Sequence, residues 1–108
     1  MLYQGNQAVR DCTALSRCVL PTALLTVGES AFRRCTSLAE IALPATLHTI
    51  GSYAFFDCHS LTELTLPAAL TTLGDESFRA CTSLTELDLS ALTWVAQVAP
   101  HAWRPLRA

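Results

Sequence analysis

Five residue types return at a fixed interval of 23 along this chain, and that period constrains the fold more than any single motif does. Cys12, Cys35, Cys58 and Cys81 form one column, Leu15, Leu38, Leu61 and Leu84 a second, Pro21, Pro44 and Pro67 a third, and Phe32, Phe55 and Phe78 a fourth. Gly5, Gly28, Gly51 and Gly74 form the fifth and show that a partial repeat precedes the first full one. Chance does not put five columns in register. A unit this short has nothing to bury its apolar side against, so units must stack, and about three are needed for stability. The chain of 108 residues then divides as one domain: a partial repeat over 1–11, full repeats over 12–34, 35–57 and 58–80, and a last strand with a C-terminal cap over 81–108.

Each column has a physical reading. In "SLTELTLP", Leu61, Leu64 and Leu66 end in alternation and meet Pro67, which predicts a short strand stopped by a residue that cannot donate to a ladder. The glycine column, following Val27, Ile50 and Leu73, predicts a backbone position with φ > 0, where a Cβ is costly. The stretch after it, "DESF" in the third full repeat, suits one turn of α- or 3₁₀-helix whose Phe78 points inward.

These columns resemble the leucine-rich repeats of the BspA-like, or Treponema pallidum, type, over about residues 4 to 92. The resemblance implies a right-handed curved solenoid of the α/β class. Parallel strands would line its concave face, with short helical or 3₁₀ turns or extended segments behind. It also implies proteins that bind other proteins without catalysis, often at bacterial or protist surfaces, though fold alone does not fix function.

The pattern fails at both ends. After Ser90 the register is lost, with Gln97, Pro100 and His101 where Gly, Ala or Ser, and Phe are expected. The tail offers Leu92, Trp94, Val95, Val98 and Trp103 instead, which predicts a cap over the last repeat. At the other end the chain opens half-way through a repeat, so the strand around residues 15 to 20 is an expected uncovered edge. Either upstream sequence precedes Met1 or that end self-associates. No charged segment leading into an apolar run opens the chain, and no stretch of about 18 apolar residues occurs. A net charge of −2 supplies no basic patch for nucleic acid or an anionic membrane.

Candidate chemistry is sparse. Four cysteines repeat one per unit, so they form a line rather than converging on one point, and no closely spaced Cys pair exists for zinc. Buried reduced thiols that act as small hydrophobes are the expectation, with Cys18 filling the core position of Ile41, Leu64 and Leu87. Disulfides between neighbouring repeats are the alternative. Asp57, Cys58 and His59 are adjacent, but adjacency in sequence is not the spatial arrangement nucleophilic catalysis requires. His48 and His101 have no acidic or Cys neighbour at ligand spacing. No catalytic residue, metal or cofactor is expected.

The variable positions carry any recognition. Outward strand columns are Ser16, Ala39, Thr62 and Thr85; Arg17, Glu40, Glu63 and Glu86; and Val19, Ala42, Thr65 and Asp88. The stacked Glu residues are either solvated repeats of one wording or an acidic ridge for a partner's Lys or Arg. On the opposite side, Tyr53 and Phe56 interrupt polar columns, Ser30 and Glu76 flanking the first, Arg33 and Arg79 the second. Phe56 is either an interface anchor or sandwiched between two guanidinium groups. The reading is a non-catalytic protein-interaction module that binds a protein partner or itself. A self-assembling structural protein is the second reading and a thiol enzyme a distant third.

Overall fold

The computed structural model describes residues 9, 11–84 and 86–88. Seven short strands run through them: β1 (Arg17–Cys18), β2 (Thr26–Val27), β3 (Glu40–Ile41), β4 (Thr49–Ile50), β5 (Glu63–Thr65), β6 (Thr72–Leu73) and β7 (Glu86–Asp88). Every pairing is parallel and joins residues 23 apart, so the sequence period is the sheet register: Arg17 opposite Glu40, Thr26 opposite Thr49, Thr49 opposite Thr72, and Glu63 opposite Glu86. The odd strands form one row, in which β1 pairs β3, β5 pairs β7, and β3 packs beside β5. The even strands form a second, three-stranded sheet in the order β2-β4-β6.

That second sheet takes the place of part of the backing segments that the resemblance implies. Its wording is Thr followed by Val27, Ile50 or Leu73, a β-branched residue with its aliphatic neighbour buried. Between the rows, the prolines close tight turns: the carbonyls of Pro21, Pro44 and Pro67 accept from the amides of Leu24, Leu47 and Leu70 at 3.1–3.2 Å.

The expected single helical turn after the glycine is not formed among the described residues. Instead the amides of this segment alternate. Those of Ala31, Arg33 and Cys35 bond three residues back, to the carbonyls of Gly28, Ser30 and Phe32, at 3.2 Å. Those of Ser30, Phe32 and Arg34 cross to the next repeat, reaching the carbonyls of Ser52, Ala54 and Phe56 at 2.7–2.9 Å. A helix would keep its amides within the segment. Sharing every second one with the neighbouring repeat satisfies the backbone and ties the stack together.

The conformation this demands is left-handed at two positions per repeat, and neither holds glycine. Ser30, Tyr53 and Glu76 form one such column, with φ of 57–60°; Asp11, Arg34, Asp57 and Ala80 form the other, with φ of 62–66°. The expectation of φ > 0 at the glycine column is therefore corrected. Gly51 and Gly74 are not left-handed; they are required because backbones approach too closely for a side chain. A Cβ on Gly51 would lie 2.6 Å from the Glu29 nitrogen, and one on Gly74 would meet Ser52 and lie 2.5 Å from the Gly51 carbonyl carbon.

Within the stack, equivalent residues touch their copies. Phe32, Phe55 and Phe78 are fully buried and stack face to face, with centroids 5.3 and 5.4 Å apart and planes within 4°. Leu38, Leu61 and Leu84 form a parallel column, as do Val27, Ile50 and Leu73. One core position departs from its column: Ser77 replaces Ala31 and Ala54, is fully buried, and its hydroxyl has no partner among the described residues. The expected C-terminal cap, with Leu92, Trp94, Val95, Val98 and Trp103, lies outside the described residues, as do Gly5 and His101.

Candidate functional site

The cysteine column is the chain's most conspicuous chemistry, and its geometry turns it inward. Cys35, Cys58 and Cys81 have no exposed surface, and each thiol donates to a carbonyl of the preceding repeat, 26 residues back: to Val9, Phe32 and Phe55 at 3.2, 3.1 and 3.0 Å. The Phe32 and Phe55 carbonyls also take the amides of Cys35 and Cys58 at 3.2 Å. The column is thus a ladder of weak donors as well as filler, which explains why Cys and not Ala suits it. Burial disfavours the thiolate, pushing Cys35 from an ordinary value of 9.0 to about 11 and Cys81 to about 12. Cys58 is raised by burial too, and further by its neighbours Cys81 and Cys35.

Cys12 departs from this pattern. The column predicts a buried thiol there, but Cys12 is exposed. Cys18 is buried, as its core position requires. In "FDCHS", Cys58 is sealed within the stack while His59 is exposed, so the adjacent pair does not face a common space. None of the five cysteines forms a disulfide.

The outward strand columns lie on the row of odd strands. A groove of about 1010 Å³ runs over β1, β3 and β5, and its lining includes Arg17, Val19, Ala39, Glu40, Ala42, Thr62 and Thr65 from the outward columns. Val19 is 64% exposed, a large apolar side chain placed openly in that floor. Ala39, Ala42, Thr62 and Thr65 are exposed beside it. Strand alternation places them there, because Cys18, Ile41 and Leu64 between them point into the core. Glu63, Glu86 and Asp88 occupy register positions along β5 and β7.

The outward columns end at the strands, but the groove does not. Ala45, Pro67 and Ala68, beyond the strand ends, also line it. The signal was available in the small residues at 45 and 68, directly after the prolines. On the rim, Arg17 Nε lies 3.2 Å from Glu40 Oε1 with both side chains largely exposed. Such a pair contributes at most about 1 kcal/mol, so it orders the rim more than it stabilises the fold.

The back of the stack carries the second candidate. Tyr53 is 38% exposed and Phe56 half-buried, and their rings meet edge to face at 5.7 Å. The Arg33 guanidinium lies over the Phe56 ring at 5.5 Å. The two-sided sandwich is corrected to one side, because Arg79 turns to Glu76, with Nη1 2.6 Å from Oε1. Glu76 lies three residues before Arg79, and the Arg79 amide also donates to the Glu76 carbonyl at 3.2 Å.

Comparisons with known proteins agree on one architecture. The family model for the BspA type leucine rich repeat region, six copies of it, matches residues 4–99. Among solved structures, the crystal structure of the T. pallidum leucine rich repeat protein is similar, with a TM-score of 0.55 and 29% identity over 72% of this chain. The match covers 47% of that protein, so the chain spans about half its length. No curated protein sequence matches. No helix among the described residues is long and apolar enough to cross a membrane. With the 23-residue register realised as parallel ladders and the family model spanning nearly all of it, the chain belongs to the BspA type leucine-rich repeat family.

Proposed function

We propose that this chain is a non-catalytic protein-interaction module that holds its partner on the row of odd strands. In this reading the repeats form a right-handed curved solenoid, this row is its concave face, and the residues after 88 close it as a cap. The observation that carries the proposal is the groove of about 1010 Å³, floored by small side chains from three successive repeats with Val19 exposed among them. Small, outward residues on a rigid ladder leave room for a partner's bulkier anchors. The family supplies the class of partner, since leucine-rich repeats characteristically bind proteins. The register positions of Glu40, Glu63, Glu86 and Asp88, offset by Arg17 alone, favour a partner that presents basic side chains.

Site-specific photo-crosslinking tests this directly. A benzophenone side chain placed at Ala42, in the groove, is expected to give a discrete protein adduct in a lysate of the source cells or of a host. The same group at Ser37, exposed and outside the groove, gives none. Equal labelling from both positions would overturn the assignment of the face, and an adduct of twice the chain mass would establish self-association in its place.

A further inference from the structure

The back of the stack holds a feature that groove binding does not use. In the repeat spanning 35–57, an aromatic pair replaces the polar residues of its neighbours: Tyr53 stands where Ser30 and Glu76 stand, and Phe56 where Arg33 and Arg79 stand. Tyr53 adopts φ of 60°, a region in which a bulky aromatic is an outlier. Its backbone is tied at both ends, the amide donating to the Asp75 carbonyl at 3.1 Å and the carbonyl accepting from the Phe56 amide at 3.1 Å. The backbone that carries the exposed ring is thus fixed before any partner arrives, and the ring itself rests edge to face on Phe56.

The charges beside the pair are unevenly committed. Arg79 is bonded to Glu76. The Arg33 guanidinium lies over Phe56, and among the described residues its buried Nε has no acceptor and no carboxylate is within ion-pair distance of either Arg33 or Arg34. Asp57 sits one repeat along from Arg34 without pairing to it, and Glu29 and Asp75 lie on the glycine side of the segment, beyond the buried 31–32 and 77–78 positions. The Arg33 and Arg34 side of the patch therefore has guanidinium donors to offer where the aromatic surface ends. A guanidinium fork suits a carboxylate, and Tyr, Phe and Arg together are the composition of an energetic hot spot.

We infer that Tyr53, Phe56, Arg33 and Arg34 form a second docking surface, independent of the groove, for an acidic peptide segment that carries an aromatic residue. The partner's ring packs on Tyr53 and Phe56, and its flanking carboxylates pair with Arg33 and Arg34. Together with the groove proposed above, whose lining does not include Tyr53 or Phe56, such a surface lets one chain bridge two proteins.

The test is fluorescence anisotropy with a labelled synthetic peptide of one phenylalanine flanked by glutamates. Saturable binding is expected, weakening as salt rises. Two variants restore the wording of neighbouring repeats and so keep the fold: Tyr53→Ser and Phe56→Arg. Tyr53→Ser and Arg33→Gln are each expected to weaken binding by about tenfold, and Phe56→Arg, which trades ring packing for an added guanidinium, to weaken it less and to steepen its fall with salt, while Val19→Asp in the groove leaves it unchanged. Circular dichroism on each variant confirms that the stack is intact. Absence of saturable binding, wild-type affinity in both Tyr53→Ser and Phe56→Arg, or equal binding of an oligothymidylate of the same charge would each overturn the inference, the last by showing only generic attraction of anions.

Discussion

At the scale of single residues, Gly51 carries the sharpest demand in the stack, and the cause of that demand can be tested. A position needing φ > 0 would tolerate Asn better than Ala, because Asn visits the left-handed region. A position needing space tolerates neither. With the Glu29 backbone 2.6 Å from any Cβ, Gly51→Ala and Gly51→Asn are both expected to destabilise the chain by about 3 kcal/mol or more, read as a lowered thermal midpoint. A midpoint kept in the Asn variant but lost in the Ala variant would restore the conformational explanation. The glycine column was legible in the sequence, while its reason was not: periodicity marks where a residue is fixed, and only the folded backbone separates a backbone angle from a close approach. The left-handed positions had no such mark. Ser30, Tyr53 and Glu76 share φ and nothing else, since inter-repeat hydrogen bonds hold the backbone there whatever the side chain. Ser77 shows the converse, a visible departure from Ala31 and Ala54 whose buried hydroxyl costs about 1–3 kcal/mol with no bond to offset it.

Elements of two or three residues have little identity of their own, which is why the sequence disclosed one sheet and hid the other. Leu64 and Leu66 around Thr65 alternate long enough to read as a strand, whereas Thr26–Val27 and its copies are pairs that pattern analysis cannot tell from a turn. What makes both rows into elements is repetition, and the thiol ladder is the clearest case. Each buried Cys keeps its proton in the fold and loses it more readily in the unfolded chain. An unfolded chain that binds fewer protons than the native one loses out less as pH rises, so stability falls with pH across the window between the two values. For Cys35 and Cys81 that window runs from 9.0 to about 11 and about 12. The contribution is complete below pH 9 and disappears as pH climbs through the folded values, with a slope of up to about 1.4 kcal/mol per pH unit for each buried thiol. All seven basic side chains are Arg, so no lysine titrates in the same range to mask it. Thermal midpoints are expected to be level to about pH 8.5 and to drop steeply above it, less steeply in Cys81→Ala. A level profile to pH 11 in the wild type would remove the thiols from the account.

For the whole molecule, the decisive property is that the features holding the stack together among the described residues join a repeat to its immediate neighbour. The Gly51 and Gly74 approaches, the Phe ring stack, the thiol ladder and the crossing amides all operate between residues 22 to 26 apart and none reaches further along the chain. This is why the architecture was readable from the period alone, while the two candidate surfaces were only partly so. Outward columns follow from strand alternation, but the far wall of the groove at Ala45 and Ala68, and the turning of Arg79 away from Phe56, depend on how neighbours settle. Stability that is a sum over neighbouring contacts should grow with copy number. Duplicating residues 35–57 in tandem inserts one more ring in the Phe stack, one more thiol-to-carbonyl bond and one more glycine approach, in an unchanged register. The duplicated chain is expected to fold with the same circular dichroism signature and to melt several degrees higher, on the order of 5 °C. It also carries a second Tyr53 and Phe56 one repeat from the first, so affinity for the acidic aromatic peptide is expected to rise only for a peptide with two such motifs. A duplicated chain that melts lower, or aggregates, would show that the stack depends on something at its ends that the added repeat displaces, and the neighbour-by-neighbour account would fail.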